Sequence, residues 1–241
     1  VVGKHDRQQA QPGISSGPTF PAPGPLLPLG VALVSAAGMT MEIVLSRVFS
    51  VLFFYHYVFA ILSGAILGIA VGAILVHSLR VPIDVLRRLQ RLTLLAGLSV
   101  LGLTLLIVAT VPFDSRLLLA FAAGVPYILI GMTLTTVFST WAAESPRLYW
   151  ADLVGAGLGA LATIPLLNAL NGLQALLTTA LFFVGGSICF RFCSRSPGGS
   201  RAEPAFAVVL TALVAAGLAF PGLQVDMGQL ATPKPLTRQL Q

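Results

Sequence analysis

Long apolar runs separated by short polar connections make up most of this chain. A helix needs about 20 apolar residues to cross the hydrocarbon of a bilayer. Seven runs are candidates: Leu27–Leu52, Tyr55–Leu79, Leu92–Val111, Leu117–Ser139, Leu148–Leu170, Leu173–Phe192 and Pro204–Phe220. Each is continuously apolar. Strands that face lipid alternate apolar and polar positions, so the pattern predicts helices and not a barrel. The expected fold is all-α, a polytopic transmembrane helix bundle of about seven spans over residues 27–220. Residues 1–26 are polar and rich in Pro, Gly and Ser, and read as a flexible leader. They lack the early apolar core of a signal peptide. Residues 221–241 are polar again and read as a tail or linker to a soluble domain.

Composition strengthens the membrane reading. Of the 241 residues 56% are hydrophobic and 9% charged, where a soluble domain carries about a quarter charged residues. The mean hydropathy is +0.91. The lipid bilayer is thus the first expected partner. The net charge of +6 does not point to nucleic acid, because the basic residues are scattered with no aromatic-interleaved patch. Arg80, Arg87, Arg88 and Arg91 lie between the second and third runs, Arg147 between the fourth and fifth, and Arg191, Arg195 and Arg201 around the end of the sixth. The alternate connections, at 55–56, 112–116 and 168–172, hold a single Arg between them. The positive-inside rule then places the N-terminus and the Arg-rich loops in the cytoplasm. Seven spans leave the tail outside, and a change of one span reverses that side.

Glycines mark two of the spans. Gly64, Gly68 and Gly72 recur every fourth residue, as do Gly155 and Gly159, with Gly157 between them. Such spacing lets membrane helices pack closely. GAGLG could be taken for a nucleotide loop, but that motif needs a preceding strand and an exposed helix start. Helix packing is the better reading, and it places spans two and five in the bundle interior.

The polar residues inside spans carry the candidate chemistry. A charge near the bilayer centre costs about 2.5–3.5 kcal/mol on insertion scales, so Glu42 needs a partner or a proton. Arg47 is five residues on, about 140° round a helix, and does not face it; it can snorkel to the headgroups. Thr40, His56 and Asp152 are candidates for a polar network with Glu42. Such a network either fixes the helix arrangement or forms a cation or amine site or a proton relay. Ser145 and Pro146 mark a helix start, with Ser145 as N-cap; Asp152 then lies about two turns in. His77 ends span two at the interface. Pro126 and Pro165 interrupt the hydrogen bonding of spans four and five. Cys189 and Cys193 share a helix face and read as small packing residues, since a metal site needs more ligands than these two. No nucleophile–base pair, HExxH, P-loop or paired-carboxylate cleft is present, so no catalytic residue, metal or cofactor is expected in this chain.

GMTMEIVLSRVFSVLFFYHYVFAILSGAILGIAVGAIL resembles the first two spans of bacterial membrane-bound spermidine synthase-like proteins, in which a Glu, a following Arg and a Gly-rich second span recur. VPYILIGMTLTTVF and RLYWADLVGAGLGALATIPLL are similar to the family's later signature, a tyrosine, an Asp-Leu pair and alternating glycines. ATPKPLTRQL is similar to the segment that leads into its soluble domain. The positions that match are Glu42, Arg47, Gly64, Gly68, Gly72, Tyr149, Asp152, Gly155 and Gly159. The resemblance implies a membrane domain that anchors a soluble aminopropyltransferase-like domain or partner subunit and handles polyamine. The enzymatic half, with its cofactor loop and catalytic aspartates, would follow Gln241. Two readings stand beside this one: a transporter-like module for a cationic substrate, and a structural subunit of a larger membrane complex.

Overall fold

The computed structural model describes residues 24–52, 56–78, 84–110, 116–193 and 202–219. Residues 1–23 of the expected leader, the whole of the expected tail, and Arg80, Arg195 and Arg201 lie outside the described residues. The described chain is a helical bundle: α1 (Leu26–Leu52), α2 (His56–Ser78), α3 (Val85–Thr110), α4 (Arg116–Thr140), α5 (Ser145–Ala169), α6 (Gly172–Cys193) and α7 (Ala202–Ala219). A 3-10 turn, Ala142–Glu144, leads into α5.

Six of these helices are long and apolar enough to cross a membrane. The seventh expected helix is present as α7. The apolar part of α7, Pro204–Ala219, is shorter. At 1.5 Å per residue, its 18 residues reach about 27 Å, just short of a hydrocarbon core of about 30 Å. α3 departs from expectation. It starts at Val85, so Arg87, Arg88 and Arg91 sit on its first turns and not in a loop. Leu86, Leu89 and Leu92 alternate with those arginines, which lets the helix extend past the lipid with one apolar face still packed. At α5 the cap position belongs to Glu144, and no side chain caps the helix; Ser145 is its first residue. In the turn before it the Glu144 N–H donates to the Trp141 carbonyl at 3.0 Å. Pro126 and Pro165 both lie inside continuous helices.

α1, α6, α3, α4 and α2 pack in that order, and α2 closes back on α1. α5 lies outside α1, and α7 lies against α6 and α3. α6 is the most enclosed span, with 72% of its apolar window buried. Phe183 and Phe190 on it are completely buried, together with Met41, Leu45 and Phe49 on α1.

The expectation that spans two and five lie in the interior is overturned. Only 22% of the apolar window of α2 and 17% of that of α5 is buried. Each meets its main neighbour along one narrow glycine seam and leaves the rest of its surface apolar and outward. Glycine spacing marks where two backbones touch. It does not say how many neighbours a helix has.

No described glycine has a positive φ, so glycine serves here for its missing Cβ. A Cβ on Gly155 or Gly159 would run into the backbone of Ala32 or Ala36 on α1. One on Gly72 would meet the backbone of Ile128 and Met132, and one on Gly131 that of Ile69. Gly155 and Gly159 follow Ala32 and Ala36 in step, and Gly68 and Gly72 follow Gly124 and Ile128, so α1 and α5 are parallel, and so are α2 and α4.

Buried hydroxyls are mostly satisfied within their own helix. Thr93, Thr104, Thr136 and Thr163 donate to carbonyls one turn back. In lipid this matters, because an unpaired polar group has no water to turn to.

Candidate functional site

Ser35 and Thr40 of α1 hydrogen-bond across to α5, while Gln174 of α6 donates to the Leu218 carbonyl of α7 at 3.3 Å. Ser35 is buried and its Oγ lies 3.0 Å from the Val31 carbonyl. It also donates to the Asp152 carboxylate of α5. Thr40 Oγ1 donates to the Gly159 carbonyl at 3.0 Å. The same carbonyl accepts from Thr163 at 2.8 Å. The absent Cβ at Gly155 and Gly159 is what brings α5 near enough for both cross-links.

The expected shared network of Glu42, Thr40, His56 and Asp152 is therefore not assembled as one unit. Thr40 is bonded to backbone and Asp152 to Ser35. His56 is the first residue of α2, and its side chain is outside those described. Glu42 is half-buried. Among the described residues its carboxylate has neither a hydrogen bond nor an ion pair; the single described salt bridge joins Arg87 to Asp84 at 3.5 Å. Arg47 is exposed, on a different side of α1 as the angular argument requires. Tyr149 is 56% exposed near the start of α5 and joins no polar group of the site.

Gly68, Gly72, Gly155 and Gly159 all lie in the two seams, whereas Gly64 has nothing within 4 Å of where its Cβ would be. Gly157 is equally open. Cys189 is buried, Cys193 is half-buried, and both are free thiols. Among the described residues no group of three metal-binding side chains comes together.

Two residues of this region carried no signal in the sequence. Ser35 stands seven positions before Glu42, nearly the same face two turns away and about 10 Å along the axis. A lone serine in an apolar helix is ordinary, and only the packing of α5 gives it a partner. Tyr127, on α4, is 2% exposed, and its buried hydroxyl has no hydrogen-bond partner.

Glu42 on α1 and Asp152 on α5, the latter bonded to Ser35, are thus two acidic groups without a basic partner among the described residues. No family model matches this chain, and neither the curated proteins nor the solved structures provide a match. The resemblance to spermidine synthase-like proteins rests on the motifs quoted above.

Proposed function

We propose that this chain is the membrane-embedded domain of a spermidine synthase-like protein, which anchors an aminopropyltransferase-like domain and handles a polyamine within the membrane. The observation that carries this reading is Glu42. A carboxylate placed mid-span on α1 with no described counter-charge is costly to keep, and an incoming ammonium group offsets that cost. Asp152 of α5, held by Ser35 two turns back along α1, offers a second negative group to a cation with more than one amine. This is also how a transporter-like module for a cationic substrate would present its site, and the two readings share the same residues.

The chain would sit in the inner membrane of a bacterium, with its N-terminus and Arg-rich connections in the cytoplasm. Arg87, Arg88 and Arg91 at the start of α3, Arg147 at the start of α5 and Arg191 at the end of α6 support a common side for these ends. The outward apolar faces of α2 and α5 favour a second reading, a subunit of a larger membrane complex, and stoichiometric copurification of a partner independent of any amine would support it.

The test is spermidine binding to the native polypeptide in lipid nanodiscs. Glu42→Gln should weaken binding at least about ten-fold with the fold unchanged. Undiminished spermidine affinity in that variant overturns the amine reading.

A further inference from the structure

The six long helices show one packing pattern twice. α1 packs mainly on α5 and α6, and α4 packs mainly on α2 and α3. Exchanging α1, α2 and α3 with α4, α5 and α6 turns each of these pairings into another of them, and carries the α3–α6 and α1–α4 contacts onto themselves. The register agrees. Gly155 and Gly159 of α5 meet Ala32 and Ala36 of α1, and Gly68 and Gly72 of α2 meet Gly124 and Ile128 of α4. Ala32 thus corresponds to Gly124 and Ala36 to Ile128. The same displacement along the chain turns Gly38 into Ile130, and these two are where α1 and α4 touch, with the Cβ position of Gly38 lying 3.3 Å from Ile130 Cδ1. A two-fold axis between two helices passes where equivalent residues meet. Contacts at three separate places therefore give one axis.

Each helix runs against its counterpart. Gly30 of α1 meets Phe190 of α6 and Val34 meets Gly186, while Thr93 of α3 meets Gly186 and Gly97 meets Ala180. The numbering falls on α6 as it rises on α1 and α3, so α6 opposes both. α1 packs on α2 across a connection of residues 53–55, which reverses the chain. With α4 parallel to α2 and α5 parallel to α1, α4 opposes α1 and α5 opposes α2. The axis therefore lies in the membrane plane. The sequence echoes the duplication. Gly-Met-Thr stands at 38–40 and at 131–133, one residue from the packing register, and Gly-Ala-x-Leu-Gly at 64–68 and at 155–159, one turn from it. Paired units of opposite orientation are the plan of many membrane carriers, whose substrate lies near the bilayer midplane between the units.

The two units differ in conformation. α1 packs on α2, whereas their counterparts α4 and α5 barely touch among the described residues. α1 has 56% of its apolar window buried and α4 39%. The α4–α5 connection lies at the face of Arg147 and Arg191, and the α1–α2 connection at the other. Backbone contact in the glycine seams keeps α1 with α5 and α2 with α4, so the boundary free to give runs between these two pairs, through Gly38 and Ile130. Rocking one pair on the other there parts α1 from α2 at one face and closes α4 on α5 at the opposite face. We infer that residues 26–193 are one three-helix unit inserted twice in opposite senses, and that exchange of conformation between the units makes this domain an alternating-access carrier, here with its Arg-rich face the more open. Glu42 stands one turn from Gly38, near the level of the axis, and its counterpart Leu134 is uncharged, so one site serves both states. The substrate class, a polyamine, rests on the amine reading of Glu42; the exchange itself does not.

Spin-label distances in nanodiscs test the exchange. Arg47→Cys with Phe59→Cys reports on α1 and α2, and Ser139→Cys with Trp150→Cys on α4 and α5, in a background of Cys189→Ala and Cys193→Ala. All four labelled positions are exposed, so the labels leave the packing intact. Without amine, each pair should show two distance populations, the long one of the first pair matching in weight the short one of the second. Saturating spermidine should shift both pairs in opposite senses. A single population at each pair that spermidine leaves in place, or a shift of both in the same sense, overturns the exchange. If spermidine binds and neither distance moves, this inference falls while the Glu42 reading stands. If spermidine does not bind, the amine reading falls, and two anticorrelated populations still uphold the exchange. Wild-type proteoliposomes should also take up labelled spermidine; distances that move without uptake overturn the carrier.

Discussion

Ser35 on α1 donates its hydroxyl to the Asp152 carboxylate on α5, and this pair ties a peripheral helix to the centre of the bundle. The hydroxyl has a single proton, and the Val31 carbonyl one turn back competes for it. Ser35→Ala removes the only described donor to Asp152 and leaves a part-buried carboxylate unpaired, at a cost of about 1–3 kcal/mol. Asp152→Asn keeps an acceptor for Ser35 and should cost less. Unfolding titrations in mixed detergent micelles measure both, and equal stability of Ser35→Ala and wild type would count against the pair.

The glycine seams predict a position-dependent response to a single methyl group. Gly155→Ala and Gly72→Ala force backbone apart and should each cost about 1–3 kcal/mol, as overpacking does. Gly64→Ala and Gly157→Ala enter open space and should be neutral or gain up to about 1 kcal/mol from helix propensity. Thermal melts of the four variants check the contrast, and a uniform response across them would show that the seams do not set the packing.

Thr40 and Thr163 share one acceptor, the Gly159 carbonyl. Thr40→Val should therefore cost little, near the average of about 0.6 kcal/mol for an interhelical hydrogen bond in a membrane protein. Losing both hydroxyls should cost more than the sum of the single losses, since the second loss removes the last side-chain donor. A double-mutant cycle on these two positions gives the coupling directly.

Glu42 bears on stability as well as on binding. With no amine present, Glu42→Gln removes a charge from mid-span and should leave the protein as stable as wild type or more stable, by about 1 kcal/mol. Added spermidine should stabilise the wild type and not the variant. Destabilisation of the amine-free variant would instead assign Glu42 a structural partner.

Sidedness is open to chemical labelling. Arg147→Cys and Asn168→Cys stand near opposite ends of α5, both exposed. In a protein whose Arg-rich ends face the cytoplasm, a membrane-impermeant maleimide added to intact cells labels the cysteine at 168 and not that at 147. The reverse pattern inverts the orientation.

Much of the fold was legible because the bilayer imposes it. Continuous apolar runs must be helices, since no other open element satisfies its backbone in lipid. The helix ends near Leu52, Ser78, Ala169 and Cys193 follow from where those runs stop. Arg87, Arg88 and Arg91 were misplaced in a loop because a helix can continue past the membrane when its leucines keep a packed face. The seventh helix was legible too, although its apolar part, Pro204–Ala219, is shorter than those of the other six.

The candidate site was legible in part. Glu42 and Asp152 stand out because a charge in an apolar run is expensive wherever it points. Tyr127 and Ser35 do not, because a tyrosine or serine in a membrane helix is cheap until its neighbours are known.

Helical character, the approximate spans, most of the seam-forming glycines and the two intramembrane carboxylates belong to the sequence by itself, because each follows from local composition and the energetics of lipid. Which helices the glycines join, that α2 and α5 lie at the edge, that Asp152 belongs to Ser35, and that Tyr127 is buried with an unpartnered hydroxyl were decided only by tertiary structure. These are relations between residues distant along the chain. Lipid is as apolar as the helices themselves, so backbone fit, and not hydrophobicity, selects each helix's neighbours.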